Sequence, residues 1–202
     1  MSLSKKFRIS LAVGIVFSII FSVCSFAITS NEIRSDVLRL HVIANSDTAV
    51  DQNLKIRLRD FILEEGKEIF DGSVTVENAV EKIQPQIASL EESSKNFIKS
   101  SGFDYDVKIS ISKEYFTTRT YENITLPAGK YLALRVVIGS GNGHNWWCVM
   151  FPPMCLPAAD KNDEISKVLN ENEIDLVERS PKYEPRFKII EIFESVKNSF
   201  DK

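Results

Sequence analysis

Histidine and cysteine are scarce in this chain, two and three residues among 202. Cys24 sits in the apolar N-terminal stretch, so only Cys148 and Cys155 belong to the remainder. A zinc site takes about four ligands from Cys, His and carboxylate. Two His and two Cys would have to supply it, and Cys-x6-Cys is not a usual ligand spacing. Glycine is also sparse, at eight residues, and GSGNG (139–143) is the only cluster. It lies between two late strand patterns, whereas a dinucleotide fingerprint opens a helix after an early strand. The expected role is therefore a hairpin loop. There is no internal repeat and no low-complexity segment, and no cofactor is expected.

Charge is missing altogether from residues 9–27, ISLAVGIVFSIIFSVCSFA, which follow Lys5, Lys6 and Arg8. A basic start followed by an apolar run marks a secretory signal or an N-terminal anchor. The run is about as long as the roughly 20 residues of a membrane span. Ser25-Phe26-Ala27 places small residues at −3 and −1 of a signal-peptidase site, so cleavage after Ala27 is expected. A retained anchor is the alternative. The flanking cations put the N-terminus in the cytoplasm and the rest outside. Residues 1–27 are thus expected as signal or anchor, and residues 28–202 as one exported domain.

An excess of positive charge is absent as well. Removing residues 1–27 takes away three basic residues and no acid, leaving 22 basic against 28 acidic, a net charge of −6. That excludes a nucleic-acid binder, which needs a basic patch, and a general affinity for anionic lipid.

Residues 36–44, DVLRLHVIA, read as a strand with Leu38, Leu40, Val42 and Ala44 on a wholly apolar face. NSDT follows, where Ser46 and Asp47 suit the N-cap of the next helix. That helix is expected over 49–70, with Leu54, Leu58, Phe61, Ile62 and Ile69 on one face. Ile56, Leu63 and Phe70 form a second stripe, covered by the C-terminal helix or a partner. A second helix is expected over 76–99, capped by Thr75, kinked at Pro85 on its exposed side, and closed by Gly102. Residues 105–115 alternate as a half-exposed strand, and 116–126 form a strand or irregular arm. Residues 131–138, YLALRVVI, apolar apart from Arg135, read as a central strand. Residues 145–151 return as its hairpin partner, ended by Pro152-Pro153 because proline cannot donate to the ladder. A short helix over 163–170, an extended connector through Ser180-Pro181 and Glu184-Pro185, and an amphipathic helix over 186–200 complete the chain. The fold class is α+β: a single domain with a mostly antiparallel sheet, order β-α-α-β-β-β-β, and helices packed on it.

A thiol enzyme needs a Cys beside a His that Asn or Asp orients. Cys148 or Cys155, His41 or His144, and Asn45 or Asp47 are the ingredients, but no spacing recommends them. A hydrolase using His41 with Asp47, or Cys148, stays as an alternative. Trp146 and Trp147 are neighbours on a strand and point to opposite faces, so one is core and the other can meet a partner. Cys148 and Cys155 are an even pair in an exported protein. They reach disulfide distance if the Pro-Pro bend folds the chain back.

RLHVIANSD (39–47), the charged helix DQNLKIRLRD after it, and GNGHNWWCVMFPPMC (141–155) together resemble the stage II sporulation protein R family of endospore-forming bacteria. The resemblance runs from about Leu38 to Pro157. It implies a signalling protein made in the forespore and exported across its membrane. There it would activate a membrane-embedded aspartic protease of the mother cell, which then processes the pro-form of sigma factor E. It implies no catalytic residue. The matching positions Arg39, His41, Asn45, Ser46, Asp47, Asn145, Trp146 and Trp147 are the expected partner surface or its support. An anchored structural protein of the spore envelope is a further alternative.

Overall fold

The computed structural model describes residues 3–70, 73, 75–121, 124–152, 168–177 and 184–200. Its elements are α1 (Leu3–Ser35), β1 (Leu38–Ile43), α2 (Ala49–Ile69), α3 (Val76–Ile83), a 3-10 turn (Gln84–Gln86), α4 (Ile87–Ser100), β2 (Val107–Phe116), β3 (Arg119–Tyr121), β4 (Ile124–Leu126), β5 (Gly129–Ile138), β6 (Asn145–Phe151), α5 (Glu171–Val177) and α6 (Glu184–Phe200).

Four strands form the main sheet in the order β2-β5-β1-β6, and β3 pairs with β4 beside it. β1 runs parallel to β5; the β1–β6 and β2–β5 ladders are antiparallel. The fold is thus α+β, as expected. One pairing differs from the sequence reading. β6 is not the hairpin partner of β5, because β1 lies between them. The reason is burial: Leu38 to Ile43 are buried on both faces, which only an interior strand achieves. GSGNG is therefore a crossover that passes the end of β1. There the Gly143 N–H donates to Ala44 O at 2.9 Å.

Helices α2, α3 and α4 cover one face. Leu54, Leu58, Ile62, Ile83, Leu90 and Ile98 pack there on Leu40, Val42, Leu134, Val136 and Ile109. The second stripe of α2 is covered by β6: Leu63 and Phe70 join the same core, and the Phe70 and Phe151 rings meet 6.0 Å apart. The C-terminal helix does not serve that purpose. α2 is capped by Thr48, whose hydroxyl accepts from Asp51 N, and not by Ser46 or Asp47. Thr75 caps α3 as expected, Pro85 lies in the exposed 3-10 turn, and Gly102 takes a positive φ of 87° after α4.

The opposite face carries a second core. Phe26, Ile33 and Val37, from α1 and the segment after it, pack there with Phe116, Tyr131, Val149, Leu176, Phe187 and Ile190. α1 has the length and composition to cross a membrane and is exposed along most of its first 25 residues. Its last third belongs to the domain. Phe26 meets Phe187 edge-on at 5.1 Å, and Arg34 donates to Ala128 O at 3.1 Å and pairs with Glu194 at 3.5 Å. Those contacts match Phe26 with Phe187 and Arg34 with Glu194, so α6 runs parallel to α1. Glu184-Pro185 opens α6 and is no extended connector, since proline suits the first helical turn. The expected helix over 163–170 and Ser180-Pro181 fall largely outside the described residues. Residues 168–170 are not helical, and the helix there is α5.

Candidate functional site

The register of β1 against β6 sets the site. Leu40 stands opposite Cys148, His41 opposite Trp147, Val42 opposite Trp146 and Ile43 opposite Asn145. Directly opposed residues share a face. His41, Arg39, Trp147 and Asn145 therefore point away from α2, while Trp146 and Cys148 point toward it. Trp146 packs on the helix-side core, and the Arg59 guanidinium sits 4.5 Å over its ring. The two tryptophans divide between the faces as expected.

His41 is the centre of a polar cluster. Its ring is stacked on Trp147, 3.8 Å between centroids at 13°. Nδ1 contacts the Glu114 carboxylate, and Nε2 lies 2.9 Å from Asn145 Oδ1. Glu114 also accepts from Ser112 Oγ at 3.1 Å and from Arg135 Nε at 3.1 Å. Ala133 is opposite both Arg39 and Ser112, and its short side chain leaves Glu114 room to reach across β5. Burial works to raise the Glu114 carboxyl. The hydrogen bond and charge of His41, with Ser112 and Arg135, outweigh it and hold Glu114 below the usual carboxylate range. Four strands thus contribute to one cluster: His41, Glu114 with Ser112, Arg135 and Asn145. Neither Glu114 nor Ser112 was singled out from sequence. Arg135, the one charge in an apolar strand, was the available signal.

Arg39 is fully buried. It donates from Nε to Cys148 O at 3.1 Å and from Nη2 to the Tyr121 hydroxyl at 2.6 Å. Its guanidinium lies 4.3 Å from the Phe116 centroid and 4.9 Å from that of Tyr131. No carboxylate hydrogen-bonds to it among the described residues. Burial lowers its pKa from the ordinary arginine value, and the same burial pushes the Tyr131 hydroxyl up. Rings rather than an anion hold this cation, and its role is internal.

Asn45, Ser46 and Asp47 form a clasp between the β1–α2 and β5–β6 loops. Asn45 Oδ1 accepts from Ser140 N at 3.0 Å, and Asp47 Oδ1 from His144 N at 2.6 Å and from the His144 ring. Asp51 Oδ2 accepts from Ser46 Oγ at 2.6 Å and from Asn45 Nδ2 at 2.9 Å. The Ser46 bond, with help from Asn45 and Tyr105 and against burial, holds Asp51 below the carboxylate range. Lys55, buried beneath, donates to His144 O at 2.9 Å. These residues are structural supports.

The structure therefore separates His41 from Asp47. Each has its own partner, Glu114 and His144. Cys148 is buried on the other face of β6 and is disulfide-bonded, not a free thiol. Cys155 and Pro153 lie outside the described residues. No group of three or more His, Cys, Asp and Glu side chains suited to a metal ion occurs among the described residues. Of the expected partner positions, Asn145 is exposed, Trp146 and Trp147 are half-buried, and Arg39 and His41 are buried.

A profile of the stage II sporulation protein R family matches residues 34–161, from the end of α1 to beyond β6. The chain is also 33% identical over 123 residues to the stage II sporulation protein R of Bacillus subtilis (strain 168), an alignment covering 61% of this chain and 55% of the relative. It thus spans about half the length of that curated relative. No solved structure matches it.

Proposed function

The chain belongs to the stage II sporulation protein R family, and from that premise we propose that it is the exported signal of endospore formation. It is made in the forespore, crosses the forespore membrane through α1, and activates a membrane-embedded aspartic protease of the mother cell. That protease then removes the pro-segment of sigma factor E.

The observation that carries this reading is the pairing of the two family motifs on adjacent strands. β1 and β6 bring RLHVIANSD beside NWWC, and their shared end presents Asn145, the edges of Trp146 and Trp147, and His144 to solvent. Arg39, Lys55 and the Asn45–Asp47 clasp hold that end rigid from beneath. An ordered rim on a buried polar scaffold suits a protein contact. A ligand of this kind switches a protease by binding its active state better than its inactive one.

The test is reconstitution. The full chain in vesicles is presented to membranes holding the protease, and cleavage of pro-sigma factor E is read. Cleavage should rise with the wild type and fall with Asn145→Ala, the exposed side chain at that end, by more than any accompanying change in the folded fraction. A chain that never increases cleavage ends the proposal.

One observation keeps the hydrolase alternative in view: the carboxylate–imidazole contact of Glu114 and His41 resembles a general-base dyad. Its Nε2, however, is engaged by Asn145, and no described nucleophile adjoins it. Full signalling by Glu114→Gln would remove that alternative.

A further inference from the structure

We propose that a cleft between α1, the start of β5 and α6 seats the headgroup phosphate of an anionic phospholipid in the outer leaflet of the membrane that α1 spans. This rests on reading α1 as a membrane-spanning segment. The cleft, about 100 Å³, is lined by Asn31, Arg34, Lys130, Glu194, Lys197 and Asn198. Three cations face one acid there, in a chain whose overall charge is −3. Arg34 is oriented by Ala128 O at 3.1 Å and Glu194 at 3.5 Å. Lys130 and Lys197 stand at its exposed rim, and Asn31 and Asn198 add amide donors. A volume of a few waters, at about 30 Å³ each, fits a phosphate group and excludes an acyl chain.

Depth selects the lipid. The uncharged run 9–27 rises ~28 Å as a helix, close to the ~30 Å hydrocarbon core. Asn31 and Arg34 then lie ~6 and ~10 Å beyond its end, against a headgroup layer of roughly 5–8 Å. α6 runs parallel to α1 with Glu194 level with Arg34, so Lys197 stands about one turn farther out and its side chain reaches back along the cleft only by its own length. Long cationic side chains reach back to a phosphate plane at such a distance. The acidic balance of the whole domain still denies it a general affinity for anionic membranes, so the attraction is confined to this one place.

The full chain is reconstituted in nanodiscs of equal parts phosphatidylglycerol and phosphatidylcholine. Integration is verified by resistance to alkaline extraction, and lipids retained on the released protein are counted by native mass spectrometry. The wild type should retain phosphatidylglycerol in preference. Lys130→Gln with Lys197→Gln, both exposed, should lower that preference by about fivefold for each lysine lost. Lys5, Lys6 and Arg8 remain in both proteins, so their effect cancels. An integrated chain whose lipid preference is unchanged by the double substitution overturns the site. A chain that is not integrated overturns the spanning premise and the site with it. If inorganic phosphate displaces the lipid and binds equally well without a membrane, the cleft is a free-anion site and the lipid assignment fails.

Discussion

His41 lies flat on Trp147, ring to ring at 3.8 Å, although the two belong to motifs about a hundred residues apart. The stack joins the interior strand β1 to the edge strand β6. Phe116, edge-on to Trp147 at 4.7 Å, extends the aromatic contact to β2. The presented end of the sheet is therefore ordered by aromatic packing, with Glu114 and Asn145 fixing the imidazole in its plane.

Trp147→Ala should cost about 3 kcal/mol, at the lower end for a tryptophan truncation because the ring is only half-buried. Trp147→Phe should retain more than half of the loss. Urea unfolding of the full chain in detergent reads both. An alanine variant as stable as wild type would show that the stack adds nothing.

Arg39→Ala should be among the most damaging single changes, at about 4 kcal/mol. It empties a fully buried volume and removes the Arg39 Nε–Cys148 O hydrogen bond. Arg39→Met should cost less than half as much, because it keeps the aliphatic stem among the three rings and removes a buried cation. Equal losses for the two would place the stabilisation in the guanidinium's hydrogen bonds and not in its packing.

Glu173 and Asp36 supply a pH dependence. Burial, above all, raises both carboxyls, and each acid raises or bonds the other across the junction of α1, β1 and α5. A carboxyl whose folded pKa lies above its unfolded value favours the protonated form. Its stabilisation is complete below the unfolded pKa and disappears as pH rises through the folded one. The melting temperature should therefore fall as pH climbs from the ordinary carboxylate range to neutrality. Glu173→Gln should flatten that slope and stabilise the chain at neutral pH by on the order of 1 kcal/mol. A melting profile unchanged by the substitution would contradict it.

Gly143→Ala should break the crossover. A Cβ there would lie 2.3 Å from Ser46 O, a backbone atom that cannot swing aside. The loss should be about 2 kcal/mol, with faster amide exchange at Gly143, whose N–H closes on Ala44 O. Protection equal to wild type would show that the loops part without cost.

Periodicity made the helices and strands legible. Leu54, Leu58 and Ile62, and likewise Val107 and Ile109, point where their spacing said they would. Adjacency was harder. Consecutive strands usually pair, so residues 145–151 were assigned to β5. Only the two-sided burial of β1, with Arg39 and His41 inside, moves β6 across. Arg39 and His41 hid that burial because charged and titratable side chains read as solvent-facing. The clasp was half visible: Asn45, Ser46 and Asp47 stood out as polar turn residues, but their partners Ser140 and His144 come from a distant segment that no local spacing connects. Glu114 was missed for the same reason. It sits on the polar face of an alternating strand, and the residue that gives it a role comes from two strands away.

Between the last turn of α1 and the first residue of β1 there are only Asp36 and Val37, and Val37 is itself buried. While α1 remains attached, the domain has no tether on which to wander. It stands on the membrane like a lamp on a rigid post, at one height and facing one way. A compact body of about 170 residues is roughly 40 Å across. The receptor proposed above, if it sits in an opposing membrane, must come within that distance to be touched. The protein would then report that two membranes have drawn together, and not merely that it has been made.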